Sequence, residues 1–215
     1  MVGPLLEPVP RPTEAAHAAA LQLLDRYGVV TREAVLAESV VGGFSGVYGV
    51  LKVLEERGQV RRGYFVAGQG AAQFAAPGAV DRLRSVRDDP DPLTEHPGPA
   101  LVLAATDPAQ PYGAALPWPE SPGRPARSAN ALVVLGDGSP LAWIDMRSHH
   151  LVTFPRTAED GRWAAALAGL VERPHVKAVE VRKVDGSPIA DGPVRDHLRA
   201  AGFADGYRGP VIRSR

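Results

Sequence analysis

Residues 42–70 read GGFSGVYGVLKVLEERGQVRRGYFVAGQG, and this stretch predicts a helix followed by a β-hairpin. The helix, expected over residues 44–57, is indicated by apolar side chains at one helical face. These are Phe44, Val47, Tyr48, Leu51 and Leu54. Gly58 stands just past the last apolar turn, where a left-handed residue commonly ends a helix.

The hairpin is predicted from the residues that follow the helix. Val60, Tyr64 and Val66, with Arg61 and Arg62 between them, read as a short strand. A glycine-containing turn then allows a reversal, and residues 72–75 can pair back as a second strand. A helix that leads into a hairpin is how a winged helix ends, so we interpret this region as a recognition helix and its wing.

Two further helices are predicted upstream. Thr13 is positioned to cap a helix that ends at Gly28, and Thr31 to cap a second one. Residues 29–30 between them read as a short apolar link. The glycine pair at 42–43 then turns the chain into the third helix. This order predicts a compact winged helix.

The chain is predicted to continue through a closing helix and a linker. Pro77 suits a first helical position, so the helix starting there would complete a winged-helix domain at residues 13–88. Residues 89–99 are rich in proline and acidic residues and predict a linker. The four prolines in residues 1–12 predict an extended lead-in, and this abrupt beginning suggests that something larger once preceded it.

Residues 100–215 predict an α+β module, a small mixed or antiparallel, curved or barrel-like sheet with two helices. Asp-Gly pairs at 137–138 and 185–186 are strong hairpin signals. The remaining predicted elements are strands at 100–105, 131–136, 140–146, 151–154 and 176–184, helices at 158–173 and 194–201, and a final edge strand at 211–212. The tail of the proline-rich segment, residues 120–128, is predicted to be mobile.

Composition limits the chemistry that the chain can perform. It has no cysteine, which excludes disulfide scaffolds, cysteine nucleophiles and thiolate zinc sites. Its histidines lack the spacing of a metal-binding motif, so no metal site is expected. The 24 Lys and Arg balance 24 Asp and Glu, so a nucleic-acid-binding face would have to be a local patch. No apolar run approaches the roughly 20 residues of a membrane span, so we expect a cytoplasmic protein without membrane contact.

Three stretches of the chain resemble the C-terminal part of the large helicase-related (Lhr) family. The first two are long, residues 23–84 and the segment AATDPAQPYGAALPWP at 104–119. The third is weaker, residues 130–144 followed by LVTF. Members of this family are superfamily 2 DNA helicases with an ATPase core and a winged helix. In long forms a further region carries tandem winged helices and a β-barrel module, and it is similar to a bacterial DNA glycosylase family.

The motifs of the helicase motor are missing from the chain. No G-x-x-x-x-G-K-[ST] and no D-E-x-H occurs in the sequence, so phosphate cradling and Mg²⁺ coordination by that route are excluded. No cofactor is therefore expected here, and ATP and Mg²⁺ would belong to the missing helicase core. The resemblance implies the last winged helix and the terminal β module, as a fragment or as a stand-alone descendant.

The wing offers a candidate patch for DNA phosphates. The candidate contacts on the third helix and the wing are Ser45, Lys52, Arg57, Arg61 and Arg62. Lysine and arginine that neutralise phosphates release counterions, so such binding depends on salt. The exposed helix face has no Arg or Asn suited to bidentate base reading, which predicts contact without sequence specificity. The alternative is a solvated hairpin edge protected by its charges, and two neighbouring glutamates count against DNA.

The segment DPAQPYGAALPWP is the most function-like stretch of the second module. Tyr112 and Trp118 on a stiff loop could stack a flipped or displaced base, and Asp107 could position water. Proline and aromatic residues at a domain junction are more typical of a structural latch. Both interpretations stay open at this point.

Two other aspartates are candidate catalytic groups. Strand alternation places Asp145 on the same side as Leu141 and Trp143, where it would be directed inward. An ion pair with Arg147 or Arg162 is the ordinary alternative.

Asp205, near the C-terminus, is the third and weakest candidate carboxylate.

Three hypotheses follow for the whole chain. It is a DNA-associated accessory module of an Lhr-type helicase that works with a helicase core, or a DNA glycosylase-like enzyme, or a structural homo-oligomerisation module.

Overall fold

The computed structural model describes residues 11–70, 72–86 and 98–214, and the chain divides into two units. The N-terminal unit comprises Met1–Asp91 with Ala114–Leu116, and the C-terminal unit comprises Pro92–Gly113 with Pro117–Arg215. Most of the predicted lead-in and of the predicted linker lies outside the described residues.

The N-terminal unit has the helices and the wing of a winged helix. Its elements are α1 (Pro12–Tyr27), β1 (Val29–Val30), α2 (Arg32–Ala37), α3 (Gly43–Glu56), β2 (Arg61–Gly63), β3 (Gln73–Ala75) and α4 (Ala79–Ser85). The three strands form an antiparallel sheet in the order β1-β3-β2. The winged helix predicted from the sequence is confirmed.

Helix α3 forms the centre of this unit, as its apolar spacing predicts. Val47, Leu51 and Leu54 are buried and pack with side chains of α1, α2 and β3. The helix ends in a Schellman motif, in which the amides of Gly58 and Gln59 donate to carbonyls of the last turn at 2.8 and 2.9 Å. Gly58 has φ +69°, so its predicted left-handed conformation is confirmed.

The apolar link predicted at residues 29–30 is instead a strand. Val29 pairs with Ala75 and Val30 with Phe74, and all four side chains are buried. Two residues are too few to show the alternation of a strand, so the sequence pattern could not reveal this pairing. The pairing attaches the wing to the helices along its inner edge.

Of the three helix starts inferred from Thr13, Thr31 and Pro77, one is correct. Thr31 caps α2, because its hydroxyl accepts from the Ala34 amide at 3.1 Å. Thr13 is not a cap: α1 begins one residue earlier at Pro12, whose missing N–H leaves no unpaired donor at that position. Pro77 does not begin α4 either, since Gly78 with φ +78° turns the chain first.

The first wing strand is shorter than predicted. It ends at Gly63, and the backbone of the next residues bonds to the buried Gln73 side chain instead of to a strand. The Gln73 amide oxygen accepts from the Phe65 and Val66 amides at 2.7 and 2.8 Å, and its nitrogen donates to the Val66 carbonyl at 2.9 Å. One side chain therefore shapes the wing loop.

The described residues of the C-terminal unit form two sheets and two α-helices. Its elements are β4 (Leu101–Ala104), β5 (Ala131–Gly136), β6 (Ser139–Asp145), β7 (His150–Thr153), α5 (Arg162–Ala168) with a 3₁₀ turn (Gly169–Glu172), β8 (Ala178–Glu180), β9 (Lys183–Val184), β10 (Ser187–Pro188), α6 (Pro193–Ala200), β11 (Ala204–Gly206) and β12 (Gly209–Arg213). The larger sheet has the order β10-β9-β7-β6-β5-β4 and the smaller one β11-β12-β8. The α+β class is confirmed, but the larger sheet is open, so the barrel-like prediction is wrong.

Three local predictions in this unit are wrong. Residues 176–184 form two strands in different sheets, because the Val181 amide donates to Pro210 and the Arg182 amide to His149, both at 2.9 Å. The last strand, β12, lies between β11 and β8 and is not an edge. The helix predicted at 158–173 begins only at Arg162, after turns in which Thr157 accepts from the Phe154 amide at 2.7 Å.

Both faces of the larger sheet are covered. Helix α5 buries Trp163 and Leu167 against one face, which includes Leu141 and Ile144. Trp143 lies in the cluster on the opposite face. The prediction that Leu141 and Trp143 share a side is wrong because the register shifts at Leu135, where a β-bulge reverses the direction of Leu141.

Within the described residues, no helix is long and apolar enough to cross a membrane.

Candidate nucleic-acid interface

The exposed side of α3 carries Ser45 and Lys52, and Arg57 follows its last turn. All three residues are exposed. The Lys52 ammonium lies 3.8 Å from the Glu56 carboxylate one turn later, so this cation is partly balanced. An exposed pair of this kind contributes little to stability and is easily replaced by a phosphate.

Arg61 and Arg62 lie on β2, the outer strand of the wing sheet. They are exposed, and as neighbours in a strand they face opposite sides of the sheet. Among the residues that the structure describes, neither of them nor Arg57 forms an ion pair. The end of α3 and the wing edge therefore carry three guanidinium groups that have no acidic partner within the described ranges.

The recognition helix itself presents little that could read bases. Gly46 is required by packing, because a Cβ there would lie 2.7 Å from the Val41 carbonyl oxygen. A Cβ at Gly49 would meet no atom within 4 Å, so this position leaves a flat, open surface. The arrangement suits contact with a phosphate backbone more than recognition of a base sequence.

The loop that carries Asp107 and Tyr112 is organised by the Gln110 side chain, which is 1% exposed. Its amide nitrogen donates to the Ala105 carbonyl at 3.1 Å and to the Tyr112 carbonyl at 3.0 Å. Its amide oxygen accepts from the Tyr112 amide. Apart from its position near two prolines, no feature of the sequence pointed to this residue.

Arg127 fixes the same loop from the other side. Its guanidinium donates to the Gln110 carbonyl at 2.6 Å and to the Thr106 and Asp107 carbonyls at 3.2 Å each. The indole N–H of Trp143 donates to the carbonyl of Ala126 at 3.0 Å. The tail at 120–128, predicted to be mobile, is thus anchored at its end by side-chain bonds that residue composition does not reveal.

The two aromatic candidates of this loop stack on each other. The ring centroids of Tyr112 and Trp118 are 6.1 Å apart, and those of Trp118 and Phe154 are 6.2 Å apart. The angles between the ring planes are 24° and 19°. The Tyr112 hydroxyl donates to the Gly138 carbonyl at 2.8 Å, and burial raises its pKa. Rings that occupy each other's faces and tie a loop to a hairpin behave as a latch, so a base would have to displace them.

The candidate carboxylates at 107 and 145 are bound to backbone. Asp107 accepts from the Ala109 amide at 2.8 Å. Asp145 accepts hydrogen bonds from the Ser148 amide at 2.8 Å and from the Arg147 amide at 2.9 Å. Both bonds lower the pKa of Asp145, and the bond from Ser148 has the larger effect. The predicted ion pair of Asp145 is wrong, because Arg162 binds Asp160 and Asp137 instead.

Asp205 is exposed and lies between two arginines of α6. It accepts from Arg199 at 3.1 Å and from Arg195 at 3.2 Å, and the bond with Arg199 is the main reason that its pKa is lowered. The three candidate aspartates thus have separate sets of partners. For Asp145 and Asp205 these partners stabilise the ionised form.

A further cluster of titratable groups lies at the turn after β6, where sequence reasoning placed none. Glu180 accepts from Arg182 at 2.6 Å and lies 3.9 Å from the His149 ring, and the Arg182 bond lowers its pKa. His149 has φ +57°, a conformation that is uncommon outside glycine. No group of three or more His, Asp or Glu side chains suited to a metal is found among residues 11–70, 72–86 and 98–214.

The chain was compared with protein-family models and with known proteins. Residues 9–95 match the family model described as "Large helicase-related protein, winged-helix domain". Over 215 aligned residues the chain is 43% identical to a Mycolicibacterium smegmatis protein named "Lhr helicase/ probable uracil glycosylase", covering 95% of this chain and 14% of that protein. It is 34% identical over 202 residues to the Escherichia coli "Lhr helicase/uracil glycosylase", covering 92% of this chain and 13% of that protein. The chain belongs to the large helicase-related family and carries the winged-helix domain of its C-terminal region.

Proposed function

We propose that the chain is a DNA-associated accessory module of an Lhr-type helicase, which positions nucleic acid or mediates assembly and performs no ATP chemistry itself. The observation that carries this proposal is the set of three exposed guanidinium groups of Arg57, Arg61 and Arg62. They lie at the end of α3 and on the outer strand of the wing, without ion pairs to other described residues. Membership of a helicase family supports DNA as the partner.

The contact is to the phosphate backbone of single-stranded or duplex DNA and is independent of sequence. Guanidinium groups on an edge strand can approach a phosphate without entering a groove, and the flat surface at Gly49 adds no base-reading donor. Because the net charge of the chain is balanced, this contact depends on a local patch and not on the overall charge.

Binding of a fluorescein-labelled duplex, measured by anisotropy at salt concentrations from about 50 to about 200 mM, tests this proposal. For three phosphate contacts the slope of log K against log salt is about −2.7, at about −0.9 per contact. The variant R57Q/R61Q/R62Q should bind weakly and lose most of that slope. The matched control R32Q/R82Q/R84Q removes the same charge elsewhere in the unit and should keep it. Equal effects of both triple variants would refute a defined patch.

The other features of this role are part of the same proposal. The winged-helix domain would occupy residues 13–88 and the α+β module residues 100–215, joined by a linker at 89–99. The partner would be a helicase core in a longer protein that supplies ATP and Mg²⁺, in the cytoplasm. Self-association without DNA affinity at low salt would favour the homo-oligomerisation module instead.

A uracil-DNA glycosylase is the second candidate, favoured by the names of both relatives. In that reaction the bond between the sugar C1′ and uracil N1 breaks, water adds to C1′, and uracil leaves with the proton. A carboxylate would stabilise the cationic sugar and orient the water. Asp145 suits the first role, because backbone N–H donors keep it ionised.

Release of uracil from a single-stranded oligonucleotide tests this second candidate. Activity should be lost in one of the variants D107N, D145N or D205N and retained in the other two. Hydrogen–deuterium exchange of each variant shows whether its fold is intact. No release by the wild-type chain would leave the accessory role alone.

A further inference from the structure

We propose that the tip of the β11–β12 hairpin, Tyr207 and Arg208, is a second nucleic-acid contact, at which an unpaired base stacks on Tyr207 and Arg208 binds an adjoining phosphate. This contact lies on the C-terminal unit and does not depend on the wing. The proposed ligand is a single strand with accessible bases.

The proposal is based first on Tyr207, because its ring is fully exposed to solvent. It is 103% exposed, more than any other large apolar side chain identified as exposed in the described part of the chain. By contrast, both faces of Trp118 and one face of Tyr112 are covered by stacked rings. A fully exposed aromatic ring gains nothing from the fold and can bury its face only against a partner.

The turn does not require these two residues. Gly206 pairs with Gly209, so Tyr207 and Arg208 form a two-residue loop, a position where Asn, Asp and Gly are usual. Neither residue has a positive φ, and the unusual conformation falls on Gly209, with φ +149°. The turn therefore accepts ordinary residues at both positions and gives no structural reason for an aromatic ring and an arginine there.

The tip is rigid enough to present a ring. A Cβ at Gly209 would lie 2.1 Å from the Val181 carbonyl oxygen, and one at Gly206 would lie 2.8 Å from the Gly209 carbonyl oxygen. The hairpin base therefore packs directly on neighbouring backbone, and β12 is held by β8 on its other side. A ring on a fixed support loses little conformational freedom when it binds.

The charge at the tip favours a phosphate. Arg208 is exposed and forms no ion pair with any other residue in the described ranges. The two acidic groups nearby are already engaged, Glu180 by Arg182 at 2.6 Å and Asp205 by Arg199 at 3.1 Å. An exposed guanidinium beside an exposed ring is the pairing that binds single strands by stacking and backbone contact. A protein partner fits less well, because two exposed residues close to Tyr207 in the chain, Asp205 and Arg208, are charged.

The experiment compares two fluorescein-labelled ligands at low salt, a thymidine decamer and a decamer with the same backbone that lacks bases. The wild-type chain should bind the thymidine decamer more tightly. Tyr207→Ala should reduce that affinity by about 5- to 150-fold, the range for loss of one base–aromatic stack, and leave binding of the baseless decamer unchanged. Tyr207→Phe should retain the preference, and Arg208→Gln should weaken both ligands by the same factor.

Tyr64 of the wing, 80% exposed, provides the matched control, because Tyr64→Ala removes an exposed ring from the other unit. It should keep the difference between the two decamers. The proposal is overturned if the wild-type chain binds neither decamer, if it binds both equally, or if Tyr207→Ala keeps the preference. The wing variant R57Q/R61Q/R62Q should keep the base-dependent difference, so failure of the wing contact and failure of this one are distinguishable.

Discussion

Replacing the buried Gln73 by methionine removes the side chain that shapes the wing loop. Gln73 is fully buried and exchanges three short hydrogen bonds with the backbone of Phe65 and Val66. Methionine has similar length but no strong donor or acceptor, so Gln73→Met keeps the volume and removes all three bonds.

The expected loss of stability follows from those bonds. A buried backbone group left without a partner costs about 1–3 kcal/mol. Phe65 and Val66 are only half-buried, so water can reach their backbone in part and the lower value applies to each group. Three groups at about 1 kcal/mol each give a loss of about 3 kcal/mol for the N-terminal unit.

Amide hydrogen exchange followed by NMR measures this effect residue by residue. In the wild-type chain the Phe65 and Val66 amides should be protected, and in Gln73→Met their protection should fall by about 100-fold or more, because about 3 kcal/mol corresponds to that factor. The control Gln59→Met changes an exposed glutamine and should leave exchange unaltered. Unchanged protection of Phe65 and Val66 in Gln73→Met would refute the argument.

Three further perturbations test the packing and the charges. Leu51→Ala should destabilise the N-terminal unit by about 2–5 kcal/mol in urea unfolding, whereas Leu36→Ala, at a side chain that is 57% exposed, should change it by less than about 0.5 kcal/mol; similar effects would contradict the predicted core. Gly209→Ala should lower the melting temperature of the C-terminal unit, because its Cβ would meet a carbonyl oxygen at 2.1 Å; an unchanged melting temperature would show that this contact is relieved. The pKa of Asp160 is lowered chiefly by its hydrogen bond to Arg162, so its stabilising effect is present above its unfolded pKa of about 4 and is lost as pH falls through the lower folded value. Arg162→Gln should therefore flatten the acid limb of a plot of stability against pH, and an unchanged limb would count against this ion pair.

The sequence predicted those elements whose cause is local. Helix α3 was found because its buried side chains repeat every turn and Gly58 ends it. The hairpins at Asp137 and Asp185 were predicted because an Asp-Gly pair adopts two successive positive φ angles more easily than most residue pairs. In the structure both aspartates have φ +51°, and the glycine after each also has a positive φ.

The parts that were missed depend on contacts between distant residues. Gln73 and Arg127 determine two loops through bonds from their side chains to backbone, and Arg127 reaches 20 residues back to the Asp107 carbonyl. The bulge that reverses Leu141 arises from pairing between β5 and β6. For the same reason the sequence suggested only Arg147 or Arg162 as ordinary partners of Asp145, although backbone amides supply the stabilising bonds.

A ¹H–¹⁵N NMR titration of the whole 22.7 kDa chain with a short duplex tests the proposed DNA contact most directly. At low salt the amides that shift should cluster at the end of α3 and along β2, between Lys52 and Gly63, and the shifts should disappear as salt is raised. Shifts confined to other surfaces, or no shifts at all, would contradict the role of the winged helix as the DNA-contacting part of this protein.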